Sequence, residues 1–180
     1  MVKVGSATTE VVCLENTLNG TIIPQSEVVA ISDFVHPKGI KMHLDGARLW
    51  HAAAETETSL ETLCAPFDSV GVCFSKGLGI DFSLVNQSQV LTTTTGAPVG
   101  SCLVGRKDFI AKARQFRIVS GVNMRQTGFL AACAAFGLTH NFPDLPRVHA
   151  LARRLEAGLE RLGAKILNRA ETCMVWWFVS

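Results

Sequence analysis

Charge is scarce in this chain of 180 residues, because Asp, Glu, Lys and Arg together make up only 18% of it. Soluble domains usually carry about a quarter. The net charge of +2 gives no basic footprint for nucleic acid. The longest apolar runs, such as 130–138, are too short to span a bilayer, and the first ten residues lack the apolar core of a secretory signal. We therefore expect neither a nucleic-acid nor a membrane partner.

The chain also lacks any C-x-x-C pair, although it has six cysteines. Most of them stand in apolar segments, which is typical of buried free thiols. Because disulfides persist mainly in oxidising compartments, we expect a reducing one and a cytoplasmic protein. Apolar residues make up 48% of the chain, so much of its surface should be buried or covered by a partner. The length suggests one domain or a piece of a larger one.

Two strand-like segments, each followed by a charged residue, form the centre of the sequence. Residues 40–44 lead to Asp45, residues 69–74 lead to Lys76, and a helical segment lies between them. This order predicts a β-α-β unit. Open α/β sheets bind their ligands at the carboxyl ends of such strands. The predicted fold class is therefore α/β.

The remaining elements continue the alternation of strands and helices. Apolar residues at steps of three and four predict a helix that begins at Pro146 and ends before Gly163. We predict a large domain over 1–143 and the start of a smaller α+β domain over 144–180. The other predicted elements are strands at 11–14, 101–105, 164–167 and 174–179, and helices at 26–35, 48–64, 107–116 and 125–138.

Five short motifs stand in a fixed order: LENT at 14–17, HLDGAR at 43–48, FSKGLG at 74–79, APVGS at 97–101 and MRQTG at 124–128. Together they resemble the low-specificity threonine aldolases. The resemblance implies part of the large domain of the pyridoxal-phosphate fold that aspartate aminotransferase has (fold type I). It also implies a lyase that cleaves L-threonine or allo-threonine to glycine and acetaldehyde, in a family whose members form homo-oligomers.

The resemblance covers roughly half a family member by length. It implies that the family's glycine-rich loop for the cofactor phosphate, and an arginine of its distal domain, lie outside the sequence. Leu18 stands where the family usually has a histidine close to the substrate hydroxyl. We therefore expect weak activity, or none, from this chain by itself.

Lys76 and Asp45 are the central candidates. A lysine in a dry pocket can attack an aldehyde, and the resemblance implies that Lys76 binds pyridoxal phosphate covalently. It implies that Asp45 keeps the pyridine nitrogen of the cofactor protonated. The residues alone leave two alternatives open: Lys76 can be a solvated lysine in a turn, and Asp45 can cap a helix that begins near Ala47.

Two arginines are further cofactor-binding candidates. The resemblance places Arg48 near the cofactor ring and the substrate carboxylate, which suits its planar guanidinium. It places Arg125, with Gln126, beside the cofactor. A surface arginine and the packing of a helix start are the respective alternatives.

Residues 80–96 separate FSKGLG from APVGS, two motifs that are adjacent in the family. The segment has no helical period, and its glutamines and threonines suggest a loop. A surface insertion is one interpretation, because loop-closure costs grow slowly with length. We favour a retained intron, whose removal keeps the reading frame and joins Gly79 to Ala97.

Three other functions stay open at this point. One is a β-eliminating lyase for aromatic amino acids, which would share the fold and the lysine. The second is a non-catalytic remnant or interaction module. The third is a metal enzyme using His43 and Asp45, with His51 nearby. No recognisable ligand pattern supports a metal, and His43 is interpreted as a packed core histidine.

Overall fold

A four-stranded, mainly parallel sheet forms the first part of the computed structural model, which describes residues 7–85, 88–94 and 97–178. Its strand order is β1-β2-β3-β6, with the first three parallel and β6 antiparallel to β3. Helices lie in both parallel connections, as in a β-α-β-α-β unit. The elements are β1 (Val11–Glu15), α1 (Gln25–Val35), β2 (Lys41–Gly46), α2 (Leu49–Thr56), α3 (Leu60–Cys64), β3 (Ser69–Cys73) and β6 (Ser101–Gly105).

The two faces of this sheet differ in burial. Side chains alternate across a strand, so Met42 and Leu44 share one face of β2 while His43 and Asp45 share the other. The helices cover the first face, where Met42 and Leu44 are at most 1% exposed. We call the face of His43 and Asp45 the open face. The sequence interpretation of His43 as a core residue is therefore wrong.

The helical segment predicted over 48–64 is two helices. Glu57 ends α2 with a left-handed φ of 51°, and Ser59 begins α3 by accepting a hydrogen bond from the Thr62 N–H at 3.1 Å. A serine cap satisfies one of the free N–H groups at a helix start. By contrast, α1 begins after Pro24, one residue before the start predicted at Ser26.

A second, antiparallel sheet has the order β4-β5-β8-β7. Its strands are β4 (Gly77–Val85), β5 (Ser88–Thr94), β7 (Lys165–Asn168) and β8 (Val175–Phe178), and α6 (Leu145–Arg161) precedes β7. Much of the 80–96 segment thus pairs as a hairpin with β8. Its threonines, valines and leucines fit strands, so the expectation of a loop is wrong for the described residues. The domain boundary and the intron remain predictions.

Two helices contain no buried residue. In α4 (Lys107–Val119) and α5 (Gly128–Phe136) none of the residues is buried. The sequence suggested a tightly packed helix over 125–138. Instead, Phe129 is 77% exposed, because no described element covers this side of α5. Among the described helices, none is both long enough and apolar enough to cross a bilayer.

Candidate functional site

The carboxyl ends of β1 and β2 lie side by side and carry the LENT and HLDGAR motifs. Glu15 is paired with Asp45, and the Asn16 N–H donates to the Asp45 carbonyl at 3.1 Å. On the other side of β2, Asp45 is paired with Gly71 of β3. Asp45 therefore occupies the middle of the parallel part of the sheet, at the edge where such sheets bind ligands.

The Asp45 carboxylate makes a local turn and does not cap a helix. Its Oδ1 accepts the Ala47 N–H at 3.0 Å. Because α2 begins at Leu49 with Arg48 as its N-cap residue, the alternative in which Asp45 caps a helix that begins near Ala47 is wrong. Oδ2 has no hydrogen bond to a described group. An exposed carboxylate oxygen thus faces the open side of the sheet.

Lys76 lies three residues beyond the end of β3, half-buried in a bend. The strand end that leads to it is anchored by Trp50, whose Nε1–H donates to the Cys73 carbonyl at 2.8 Å. The Trp50 ring also stacks on Phe74 with centroids 5.9 Å apart. The structure brings Lys76 and Asp45 to the same edge, after adjacent strands. Between the described side chains it records no contact of the Lys76 ammonium.

A shallow cavity of about 250 Å³ opens on the face that carries Asp45. Gly71 leaves room at its floor, since an added Cβ would come no closer than 4.0 Å to its neighbours. His43 is held at the rim by a 2.8 Å hydrogen bond between its Nδ1 and the Ser69 hydroxyl. The remaining lining comes from β3 and β6: Val72, Cys73, Ser101, Cys102 and Leu103.

Buried polar atoms without a partner occur in the residues that follow β1 and β2. Among the described side chains they are Asn16 Oδ1, Thr17 Oγ1, Arg48 Nε and His51 Nε2. Asn16 and Thr17 follow β1, and the other two follow β2. Native proteins leave few such groups unsatisfied, and each one needs an explanation. Four of them beyond two adjacent strands indicate a place where a polar ligand or water completes the structure.

Two other residues considered in the sequence, Arg125 and Leu18, are exposed. Arg125 is exposed in the link between α4 and α5, and no contact with Asp45 or Arg48 is recorded for it. Leu18, in place of the family's histidine, is 47% exposed. It carries no group that could accept a proton.

The histidines proposed as metal ligands do not converge. His43 lies on the open face, whereas His51 is fully buried on the helix side of the sheet. In the part of the chain that the structure describes, no three His, Cys, Asp or Glu side chains come together as metal ligands would.

No sequence motif indicated a buried network of hydrogen-bonded side chains that links α2 to α6. His51 Nδ1 lies 2.9 Å from His149 Nε2, and His149 Nδ1 lies 2.6 Å from the Glu55 carboxylate. Arg153 binds the other oxygen of that carboxylate at 2.8 Å. Burial, the charge of His149 and the charge of Arg48 lower the pKa of His51 to about 3. Burial also lowers the pKa of His149, against the opposing effect of Glu55.

Known proteins resemble both the sequence and the fold. The family model described as beta-eliminating lyase matches residues 2–83 and 88–180. A low-specificity L-threonine aldolase of Candida albicans is 38% identical over 95% of this chain and 41% of its own length. That of Escherichia coli O157:H7 is 33% identical over 94% and 46%. The solved threonine aldolase of Leishmania major has a TM-score of 0.70 at 21% identity, over 91% of this chain and 44% of the other.

These comparisons confirm the resemblance and the fold class: the chain has part of the fold type I architecture of the threonine aldolases. It spans about two fifths of the length of the curated relatives it matches. The family model covers nearly all of it. This chain belongs to the beta-eliminating lyase family.

Proposed function

We propose that this chain is the part of a pyridoxal-phosphate-dependent lyase that supplies Lys76 and Asp45. Its reaction is the cleavage of L-threonine or allo-threonine to glycine and acetaldehyde. The observation that carries the proposal is the carboxyl edge of the sheet. There Asp45 presents a carboxylate oxygen without a described hydrogen bond, and the residues that follow β1 and β2 contain buried polar atoms without a partner. Relatives with 33–38% identity are named for this reaction.

The residues present fit the ring of the cofactor. The cavity beside Asp45 has a glycine at its floor, which leaves space for a flat ring. Asp45 Oδ2 is available to accept a hydrogen bond from a pyridinium nitrogen, which is an interaction between two charged groups. The half-buried Lys76 at the same edge is available to bind the aldehyde carbon.

In this proposal each residue acts through its own chemistry. Lys76 binds the cofactor and is released when an amino acid takes its place. Asp45 holds a proton on the ring nitrogen. Arg48 binds the carboxylate of the amino acid through the terminal nitrogens of its guanidinium. When bound, pyridoxal phosphate supplies an electron sink for cleavage of the Cα–Cβ bond.

Cleavage also requires a group that removes the proton of the substrate hydroxyl. Leu18 cannot do this, so a base from elsewhere in the protein is needed. A leucine at position 18 is compatible with β-elimination from an aromatic amino acid, because that reaction removes the proton on Cα and expels the group on Cβ and does not take a proton from a β-hydroxyl. The name of the family model favours this second candidate. Assays with threonine and with an aromatic β-substituted amino acid separate the two.

The third candidate is a non-catalytic member of the fold. The exposed apolar side chains on α4 and α5 favour it, because such surfaces mark places where another chain segment or protein binds. This candidate predicts that pyridoxal phosphate does not select Lys76.

Borohydride trapping tests the proposal directly. The purified chain is mixed with pyridoxal phosphate, reduced with borohydride and digested, and the cofactor mass is located by mass spectrometry. We expect the label on the peptide that contains Lys76. Lys76→Arg should abolish that label, whereas the matched change Lys112→Arg, on the exposed helix α4, should leave it unchanged. Label scattered over many lysines, or absent, would contradict the proposal.

A further inference from the structure

The strongest unexplained feature is a buried donor and a buried acceptor that both lack a described partner and belong to the same turn at the start of α2. Arg48 is the N-cap residue and His51 is the third helical residue, and the His51 N–H donates to the Arg48 carbonyl at 2.9 Å. Residues three apart in a helical turn lie on the same face. Arg48 Nε and His51 Nε2 are both buried and have no described partner.

The hydrogen bonds of the buried side-chain network determine which imidazole nitrogens carry protons. An ionised carboxylate only accepts, so Glu55 Oε2, at 2.6 Å, receives the proton of His149 Nδ1–H. In the neutral ring, His149 Nε2 then has a lone pair and accepts from His51 Nδ1–H at 2.9 Å. The neutral His51 ring is left with its lone pair on Nε2.

Electrostatics agrees with this assignment. The pKa of His51 is lowered to about 3 and that of His149 is also lowered, in both cases mainly by burial. Both imidazoles are therefore neutral near pH 7. The charge of Arg48 is among the causes of the lowered pKa of His51, which agrees with their positions in one turn at the start of α2.

We infer that His51 Nε2 accepts a hydrogen bond that reaches it from the Arg48 Nε–H through one shared water, so that Glu55, His149 and His51 position the Arg48 guanidinium. The bond uses Nε and leaves the two terminal nitrogens of Arg48 free for a ligand. A guanidinium held in this way presents a fixed fork, which suits the two oxygens of a carboxylate. His51 is thus a positioning residue. The role toward a carboxylate rests on the proposed function, but the hydrogen bond does not.

The buried network of hydrogen-bonded side chains also connects distant parts of the sequence. His51 and Glu55 are on α2, whereas His149 and Arg153 are on α6, and Arg153 extends the chain by binding the Glu55 carboxylate. The orientation of Arg48 therefore depends on the packing of α6 against α2. A substitution at His149 should therefore affect the orientation of Arg48 only through His51.

Nitrogen NMR of the histidine-labelled chain tests the hydrogen bond without any cofactor. At pH 7 we expect His51 and His149 as neutral Nδ1–H tautomers, with His51 Nε2 shifted as a hydrogen-bond acceptor. Arg48→Met should move the His51 Nε2 resonance, whereas the matched change Arg154→Met, at an exposed position of α6, should not. A His51 Nε2–H tautomer, a charged His51, or a resonance unmoved by Arg48→Met would overturn the inference. The tautomer of His51 in the unmodified chain still tests the inferred hydrogen bond if the Arg48→Met variant does not fold.

The role in positioning is tested with two amines on the chain loaded with pyridoxal phosphate. Glycine has a carboxylate and methylamine does not, and the binding of each is followed by the absorbance of the cofactor. We expect His51→Phe to weaken the binding of glycine about tenfold and to leave the binding of methylamine unchanged, since only the carboxylate of glycine contacts Arg48. His51→Gln, which keeps an acceptor, should restore part of the loss.

Equal losses for both amines would overturn the positioning role. If neither amine changes the spectrum of the unmodified chain, the proposed function fails and the carboxylate role fails with it. The tautomer experiment still decides on the hydrogen bond in that case. The two failures are therefore distinguishable.

Discussion

His51 and His149 are hydrogen-bonded to each other at 2.9 Å although they are 98 positions apart. Their rings lie 5.2 Å apart between centroids and are tilted by 40°. Both side chains are fully buried, and Glu55, with a side chain 29% exposed, is the carboxylate that contacts His149. Two neutral imidazoles thus form the polar centre of the packing between α2 and α6. This arrangement has a direct consequence for stability in acid.

We expect the free energy of unfolding to fall as the pH decreases from about 6.5 toward 3. The pKa of His51 is lowered from 6.5 to about 3, first by burial and then by His149 and Arg48. In this interval the unfolded chain binds a proton that the folded chain does not, so acid favours unfolding. The limiting slope is about 1.4 kcal/mol per pH unit for this group. Urea unfolding between pH 5 and 8 measures it.

His51→Asn removes this titrating group and should flatten the pH dependence. The matched control is His140→Asn, because His140 is exposed at the end of the helical region after α5. In His140→Asn the slope of the unfolding free energy against pH should equal that of the unmodified chain. An unchanged slope in His51→Asn would show that other groups cause the acid sensitivity.

Much of the first sheet could be predicted because its signals are local. Apolar strands bounded by glycine, proline and aspartate marked β1, β2 and β3, and Pro146 marked the start of α6. The break at Glu57 has no such signal, since a glutamate rarely adopts a left-handed φ. The alanine-rich α5 has the composition of a buried helix whether or not a covering segment is present.

The site was predictable only in part, for a physical reason. Asp45 and Lys76 follow strands, and parallel strands bring their carboxyl ends to one edge. The contact between His51 and His149 depends on which faces of α2 and α6 meet, which no short motif encodes. The pairing of the hairpin β4–β5 with β8 is equally non-local.

Asp68 should stabilise the fold through a network at the other edge of the sheet. It accepts from the Met42 N–H at 2.9 Å and pairs with Lys41 and His36 at 2.9 and 3.0 Å. Burial alone would raise its pKa, but these three partners lower it to about 2. The stabilisation is fully present above pH 3.8 and is lost as the pH falls through 2. Asp68→Asn should cost about 1–2 kcal/mol at pH 7, measured by urea unfolding.

The exposed pair of Asp108 with Arg106 provides the comparison for Asp68. Its side chains are 70% and 75% exposed, and solvent screens such pairs. Asp108→Asn should leave the unfolding midpoint unchanged. At pH 2 the cost of Asp68→Asn should largely disappear, and a cost that persists there would contradict the electrostatic explanation.

Trp50 should matter more for stability than Trp176, which also donates a hydrogen bond. Trp50→Phe removes the bond to the Cys73 carbonyl and leaves that acceptor unpaired under the bend that leads to Lys76. We expect a loss of about 1–3 kcal/mol in the free energy of unfolding. Trp176→Phe removes a bond of similar length to the Asn19 carbonyl, but an exposed one that water can replace, so its loss should be smaller. Equal losses would contradict this argument.

The apolar surface of α4 and α5 should cause association of the purified chain. Phe116 and Phe129 are 61% and 77% exposed there. Sedimentation should show species whose size grows with concentration, since such surfaces are removed from water by contact. The double variant Phe116→Glu with Phe129→Glu should reduce this growth. Phe34→Glu, at a comparably exposed position of α1 whose ring already contacts Lys38, should not.

Asp45→Asn should separate the charge of this residue from its structural role. Asparagine still accepts the Ala47 N–H, and the position is exposed, so the thermal unfolding midpoint should not change. The negative charge opposite the pyridinium is lost, and a charged hydrogen bond of about 1.5–3 kcal/mol corresponds to roughly ten- to a hundredfold in affinity. Titration with pyridoxal phosphate, followed by absorbance, measures that loss. Glu15→Gln removes a charge from the paired residue of β1 and should have little effect. Because Glu15 is the register partner of Asp45, equal losses in the two variants would mean that the general field of the edge, and not a specific bond from Asp45, holds the cofactor.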